Sequence, residues 1–213
     1  MASSFDELRV EYGDAPLDRA DLDPDPVQQL KRWIDQAAAA GVVEPNAFVL
    51  ATAGADGQPS GRTVLLKDLG PAGLTFYTNY ESRKGQELAH NPQATAVFLW
   101  TPIRRQVRVE GPVDKVPEEV SDAYFASRPP EARLASAASP QSQVVESREA
   151  LEALLEELRA RFPAGDVPRP AHWGGYLLAP HYFEFWQGRE ARYHDRFRYR
   201  LESGTWRIER LAP

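Results

Sequence analysis

Four cations placed on or just after predicted strands are the first residues in this chain that could do chemistry: Arg62, Lys67, Arg83 and Lys84. Ser82-Arg83-Lys84 opens a predicted helix, where unpaired backbone N–H groups, the helix dipole and two positive side chains would converge on one anion. Arg62 and Lys67 are five residues apart, so on an ideal strand they face opposite sides unless a bulge intervenes. That parity suits two anionic groups on different sides better than one. Taken singly, each of these cations reads as solvated surface; the four together read as an anion site.

Three further sets follow. Gln106 begins a strand and could bond the edge of a heteroaromatic ring, or simply face solvent. Tyr124 and Arg128 are four apart at the end of a helix and share a face, where a phenol and a guanidinium could hold a phosphate or stack as a structural pair. Trp186-Gln187-Gly188 and Arg192-Tyr193-His194-Asp195-Arg196 bring an aromatic, two arginines and a histidine around a glycine turn. His194 is the most reactive-looking group, although a histidine beside an aspartate is often only a satisfied hydrogen-bonding residue. The four histidines (His90, His172, His181, His194) have no metal-ligand spacing, which rejects a zinc or iron site. No Gly-x-Ser-x-Gly elbow, P-loop or Gly-x-Gly-x-x-Gly fingerprint is present, which removes the commonest hydrolase, NTPase and Rossmann readings.

The elements that must position these groups are mostly strands. Residues 1–25 are polar and Asp/Pro-rich and read as a mobile acidic arm; residues 26–213 read as one domain. Asp25-Pro26 resembles an N-cap with proline at the first helical position, and Val27, Leu30, Trp33, Ile34 and Ala37 recur at helical spacing up to Gly41. The period then changes to that of strands: 47–52, 62–67, 74–78, 94–100 and an alternating, kinked 106–113. Helices are predicted near 117–127 and 147–162, the second with Leu151, Leu154, Leu155, Leu158 and Phe162 on one face; the Pro/Ala/Ser-rich 128–142 between them reads as a loop. Strands at 182–187, 196–201 and 205–210 close the chain, the last two around Ser203-Gly204. Seven or eight strands in hairpin-like succession favour an antiparallel barrel with peripheral helices over a doubly wound sheet.

Composition bounds the rest. The 213 residues include no Cys, so disulfides, thiolate catalysis and cysteine metal sites are excluded and a reducing cytoplasm is the default. No apolar run is long enough to span a membrane, and the acidic N-terminus lacks the apolar core of a secretory signal. The net charge of −6 is held entirely by residues 1–25, with eight acids and two bases, so the body is neutral. Within that body, Arg62–Arg108 has seven bases against three acids and Arg189–Arg210 seven against four. These blocks point to small anionic ligands; neither is a dense Lys/Arg run of the kind nucleic acid requires.

An ordered series of motifs carries a resemblance across nearly the whole chain. It comprises Arg62-Thr63-Val64-Leu65-Leu66-Lys67, Phe76-Tyr77-Thr78-Asn79, Ser82-Arg83-Lys84, Arg105-Gln106-Val107, Tyr124-Phe125-Ala126-Ser127-Arg128-Pro129, Gln141-Ser142, Trp173-Gly174-Gly175, Phe185-Trp186-Gln187-Gly188, Arg192-Tyr193-His194-Asp195-Arg196-Phe197 and Arg210-Leu211-Ala212-Pro213. The series resembles the pyridoxamine (pyridoxine) 5′-phosphate oxidase family. The resemblance implies an FMN-binding split β-barrel, homodimeric, with active sites at the subunit interface. It implies oxidation of pyridoxamine or pyridoxine 5′-phosphate to pyridoxal 5′-phosphate, with O2 as acceptor and release of hydrogen peroxide.

Carried over by motif, Arg62, Thr63, Val64, Leu65, Leu66, Lys67, Tyr77, Thr78, Arg83, Lys84, Gln106, Gln141, Ser142, Trp186 and Arg196 would hold FMN. Lys67, Tyr124, Arg128, Arg192 and His194 would contact the substrate, with Arg192 and His194 nearest the chemistry, and Arg9 and Tyr12 would belong to a segment folding over it. The two basic blocks would then serve two phosphates. Two departures stand out: Ala132 replaces a serine usual in the family, and Ala135-Ser136-Ala137 replaces Gly-Ala-Trp. The alternatives are a related split-barrel flavin oxidase for another metabolite, such as a phenazine precursor, and a non-catalytic FMN or pyridoxal-phosphate carrier.

Overall fold

Ten strands and five helices follow one another among the described residues, 15–213 of a computed structural model. The strands are β1 Ala47–Ala53, β2 Pro59–Leu65, β3 Asp68–Gly70, β4 Gly73–Asn79, β5 Gln93–Trp100, β6 Arg105–Lys115, β7 Trp173–Leu178, β8 Tyr182–Gln187, β9 Asp195–Glu202 and β10 Thr205–Leu211. The helices are α1 Pro26–Ala39, α2 Arg83–His90, α3 Glu118–Ser127, α4 Pro130–Ala138 and α5 Arg148–Arg161. Every strand pairing is antiparallel.

One long sheet runs β10-β9-β8-β6-β5-β1-β2, and a second runs β6-β7-β4-β3. β6 belongs to both: its first part pairs with β5 and β8, and Val113–Lys115 pairs with β7. The kink predicted near residues 111–112 is this hand-over. Gly111 permits it, because a Cβ there would stand 2.0 Å from the Ala179 carbonyl oxygen. The curled sheet does not close. β2 pairs with β1 alone; beyond it the chain meets β4 only through the Lys67 N–H to Thr75 carbonyl bond of 2.9 Å and the three-residue β3. This is a split barrel, and the opening lies between β2 and β4.

Inward-facing Leu50, Phe76, Phe98, Val107, Val109, Phe183 and Phe185 fill the interior and are fully buried. Asp25 caps α1 by accepting the Val27 N–H, and the helix lays Leu30 and Trp33 on this core, Trp33 edge-on to Phe185 at 5.1 Å. Truncating a buried Trp of this kind costs about 3–5 kcal/mol. A second cluster, Phe125, Leu134, Val167 and Trp173, joins α3, α4 and the start of β7, with Leu155, Leu158 and Phe162 of α5 packed against it.

The structure departs from the sequence reading in four places. Residues 128–142 are not one loop: α4 starts at Pro129-Pro130, the position where proline favours a helix, and its alanines continue it while Leu134 anchors it. β7 was masked by its glycines and β3 by its shortness. Leu154 faces solvent at 40% exposure, because α5 lies on the surface with a narrower apolar stripe than its leucines suggest. Residues 15–25 do not hang free either. Leu17 and Leu22 are buried, and Asp195 accepts the Leu17 N–H at 3.0 Å while the Tyr199 hydroxyl donates to the Asp23 carbonyl at 2.8 Å. Arg9 and Tyr12 lie outside the described residues.

Candidate active site

The opening of the barrel is a cleft of about 380 Å³ lined by β2, the end of β4, α3, α4 and Gln141. Arg62, Lys67, Lys84 and Arg128 contribute four cations to its wall, and no carboxylate lines it among the described residues. Thr63, Val64, Leu65, Tyr77, Thr78, Tyr124, Ser136 and Trp173 complete much of the rest.

The expectation that Arg62 and Lys67 face opposite sides fails for a clear reason. β2 ends at Leu65; Leu66 then donates its N–H to Asn46 and Lys67 donates its N–H to Thr75, so the chain changes partner strand between them. Strand alternation does not carry across such a change, and both cations meet one cleft. Leu66 turns into the core at 7% exposure and does not line the cleft, unlike its neighbours.

Lys84 lies in the first turn of α2, which Ser82 caps. α2 packs so closely that a Cβ on Gly85 would come within 2.1 Å of the Tyr80 carbonyl oxygen, which reserves that position for glycine. Lys84 is 8% exposed, and its ammonium donates to Gln141 Oε1 at 2.8 Å, Thr78 Oγ1 at 3.0 Å and Ser82 Oγ at 3.2 Å. All three acceptors are neutral. Burial, followed by the Arg62 charge, lowers its pKa to about 8, against a smaller opposing pull from Glu87. An anion in the cleft would relieve that cost.

Arg62 is handled differently. Its guanidinium bonds the Leu50 carbonyl, Thr52, Ser60 and, at 3.3 Å, the Glu87 carboxylate. Burial alone would raise the Glu87 carboxyl, but hydrogen bonds from Ser60, Thr52 and Arg83 and the Arg62 charge outweigh it and hold the pKa at about 2. Arg83, expected beside Lys84 on the anion, instead turns outward to Glu87 at 2.8 Å, 59% exposed, and does not line the cleft. Ser142 is also outside the lining, exposed and with a left-handed φ of 71°.

At the other end, Tyr77, Tyr124 and Trp173 form an aromatic stack, with Tyr77 and Tyr124 centroids 3.8 Å apart. Arg128 lies 4.8 Å over the Trp173 ring and donates to Ser136 Oγ at 2.9 Å. Tyr124 and Arg128 are therefore both in the wall, each set on aromatic rings instead of on each other alone. Ser136, Trp173 and Glu87 are site residues that residue types and spacing did not single out. Glu87 carried one local signal, its place four residues after Arg83 on α2.

Gln106, Trp186 and Arg196 lie elsewhere. Gln106 is paired with Trp186 and Trp186 with Arg196, so the three stand in cross-strand register on one face of the long sheet, and none lines the cleft. The turn after β8 adds Arg192 and His194 to this set. Ala191 and Arg192 hold consecutive left-handed φ values of 52° and 61°, backbone strain of the sort that positions functional side chains. His194 Nδ1 accepts the Arg189 N–H at 3.0 Å and its ring lies 4.7 Å from Trp186. Burial, then the Arg192 charge, lowers its pKa and favours the neutral ring, which with Nδ1 as acceptor carries its proton on Nε2.

Two sequence patterns match this chain: pyridoxamine 5′-phosphate oxidase over residues 34–162, and the pyridoxine 5′-phosphate oxidase C-terminal dimerisation region over residues 173–213. The chain belongs to the pyridoxamine 5′-phosphate oxidase family. It is 54% identical to a pyridoxine/pyridoxamine 5′-phosphate oxidase of Cupriavidus pinatubonensis, over 97% of this chain and 98% of that one. It is 52% identical to an oxidase of the same description from Salinibacter ruber, over 99% and 100%. Among solved structures, PhzG from Burkholderia lata in complex with tetrahydrophenazine-1-carboxylic acid superposes with a TM-score of 0.88 at 34% identity, covering 94% of this chain and 99% of that one.

Family membership makes the chain an FMN-dependent oxidoreductase, and its residues suit that cofactor. A buried lysine whose partners among the described residues are neutral, a hydroxyl and an amide at Thr78 and Gln141, and a strand edge at β2 fit a phosphate-bearing planar ring.

Proposed function

We propose that this enzyme oxidises pyridoxamine 5′-phosphate and pyridoxine 5′-phosphate to pyridoxal 5′-phosphate, with O2 as acceptor and hydrogen peroxide as by-product. The observation that carries the reading is the division of the cleft's cations into two stations, Lys84 at one end and Arg128 at the other, each resting on neutral groups. Two phosphates, one on FMN and one on the substrate, match two stations.

In this reading Lys84, Thr78, Gln141 and Arg62 hold the FMN phosphate, and the β2 edge from Thr63 to Leu65 receives the ring. Lys67, Tyr124 and Arg128 hold the phosphate of the vitamin, and the Tyr77–Tyr124–Trp173 stack excludes water beside it. Bound FMN supplies a hydride acceptor for the substrate C4′ and returns the electrons to O2; for the amine substrate, water then releases ammonia and the aldehyde. Arg192 and the Nε2–H of His194 orient the substrate and stabilise charge as the hydride leaves; neither is required as an acid or base.

Because Gln106, Trp186, Arg192, His194 and Arg196 are outside their own chain's cleft, we assign them to the cleft of a partner subunit in a homodimer. The match of the dimerisation region to residues 173–213, which carries four of the five, supports this. The absence of cysteine suits a reducing compartment, and the proposal places the enzyme in the cytoplasm.

The direct test is pyridoxamine 5′-phosphate added in air to the FMN-loaded protein. Aldehyde and peroxide are expected in equal amounts; bound flavin with neither product overturns the reading. Shared sites have a second test. Mixed dimers of Arg128→Ala and Arg192→Ala chains should recover about a quarter of wild-type turnover, since half the dimers are mixed and each has one intact site. No recovery would mean that both residues serve the same chain's site. The resemblance to the PhzG structure supports a second reading, oxidation of a phenazine precursor. The phosphate-directed set Lys67, Tyr124 and Arg128 favours the first, and turnover of a dephosphorylated polycyclic amine at a higher kcat/KM would favour the second.

A further inference from the structure

α4 begins at Pro130, and its only hydroxyl-bearing residue is Ser136. Ala132 stands four residues earlier on the same helical face and offers only a methyl group. Ser136 lines the cleft with Lys67, Tyr124 and Arg128, and its Oγ accepts from Arg128 Nη1 at 2.9 Å. Arg128 in turn is set over Trp173 at 4.8 Å and Phe125 at 5.7 Å, so its donor has a fixed origin. A hydroxyl that accepts one hydrogen bond still has its own proton to give. Arg128 has no acceptor to offer it, and among the described residues no carboxylate lines the cleft. An anionic oxygen held by Arg128 is the acceptor this geometry leaves within reach of the Ser136 proton.

We infer that Ser136 is a specificity-determining contact for the phosphate ester, donating its O–H to the same phosphate that Arg128 binds. The contact supplies from position 136 the hydroxyl that Ala132 cannot provide. It rests on the reading above that the Arg128 end of the cleft takes the substrate phosphate. Arg128 and Ser136 act as a unit: the arginine orients the hydroxyl, and both then converge on one phosphate group. A substrate lacking the phosphate gains nothing from either.

The test uses the FMN-loaded enzyme with pyridoxal 5′-phosphate as a binding probe, followed through flavin fluorescence, and with pyridoxine 5′-phosphate as substrate. Ser136→Ala should raise the probe's Kd and the substrate's KM about fivefold, the value of one neutral hydrogen-bond donor, with most of the loss in KM and little in kcat. Ser136→Thr keeps the hydroxyl and should restore most of the affinity. Adding Ala132→Ser to Ser136→Ala should recover affinity too. Equal Kd and KM in wild type and Ser136→Ala overturns the inference, as does a loss confined to kcat. Binding of the ester without its oxidation would overturn the proposed function and leave this contact measurable; failure of wild type to bind the ester would overturn both.

Discussion

Lys84 in the cleft rests on two hydroxyls and an amide, whereas almost every arginine of β8–β10 and the turn beside them rests on a carboxylate. Glu184 takes Arg108 at 3.1 Å and Arg196 at 2.8 Å, Glu209 takes Arg198 at 2.9 Å and Arg207 at 3.1 Å, and Asp195 takes Arg189 at 2.9 Å together with Arg210. Glu202 takes Arg200 at 2.6 Å. By local density the two regions look equally basic, yet in the cleft Lys67, Lys84 and Arg128 have no ion-pair partner among the described residues. Charges that answer each other across strands are structure; charges propped on neutral groups are available for binding. Arg192 is the exception in the C-terminal block, with no ion-pair partner among the described residues. In the proposed function both phosphates are held in the cleft, and the second block contributes chiefly Arg192.

The largest effect should come from that exception. Arg192→Ala should cut kcat/KM roughly hundredfold, the usual loss for one donor to developing charge, with FMN retention little altered. If flavin dissociates as readily as turnover falls, Arg192 belongs with the cofactor.

Lys84→Met should weaken FMN binding roughly tenfold to a hundredfold, since it removes a charged donor. Wild-type FMN affinity should also decline as pH rises through about 8, where the free enzyme's Lys84 loses its proton, and the variant should lack that decline. A flat wild-type profile in a fluorescence titration would remove Lys84 from the anion station.

Glu87→Gln tests the carboxylate that holds Arg62 from behind the cleft wall. The Glu87 pKa is depressed from 4.5 to about 2, so its contribution to stability is complete above 4.5 and is lost as pH falls towards 2. The variant should be less stable at pH 7 by on the order of 2 kcal/mol and should lose the corresponding acid dependence, both read from urea unfolding. Arg207→Ala, on an exposed pair, should change stability by about 0.5 kcal/mol or less and leave turnover alone. A large effect there would break the contrast between the two regions.

Much of the fold was legible. The α1 cap and stripe, most strand positions and the β6 kink follow from local rules, because proline, capping aspartate and side-chain period act over a few residues. α4 was legible in principle from Pro129-Pro130 and its alanines, but its composition also matches a loop. In the site, Tyr77, Thr78, Lys84, Tyr124, Arg128 and Gln141 come together as the motifs implied, while Leu66, Arg83 and Ser142 do not line the cleft. Leu66 shows why: its inward turn depends on Asn46, twenty residues away, accepting its N–H.

The sequence by itself determined the residue types available for anions, the periods of the elements and, through the order of its motifs, the family. These are properties of short segments and of inherited pattern. Only the tertiary structure decided that Arg62 and Lys67 meet one cleft, that Ser136 faces Arg128, and that the C-terminal arginines other than Arg192 are already paired with carboxylates. Each of those outcomes depends on register between strands distant in the chain, where a shift of one residue exchanges inside for outside and paired charge for free charge.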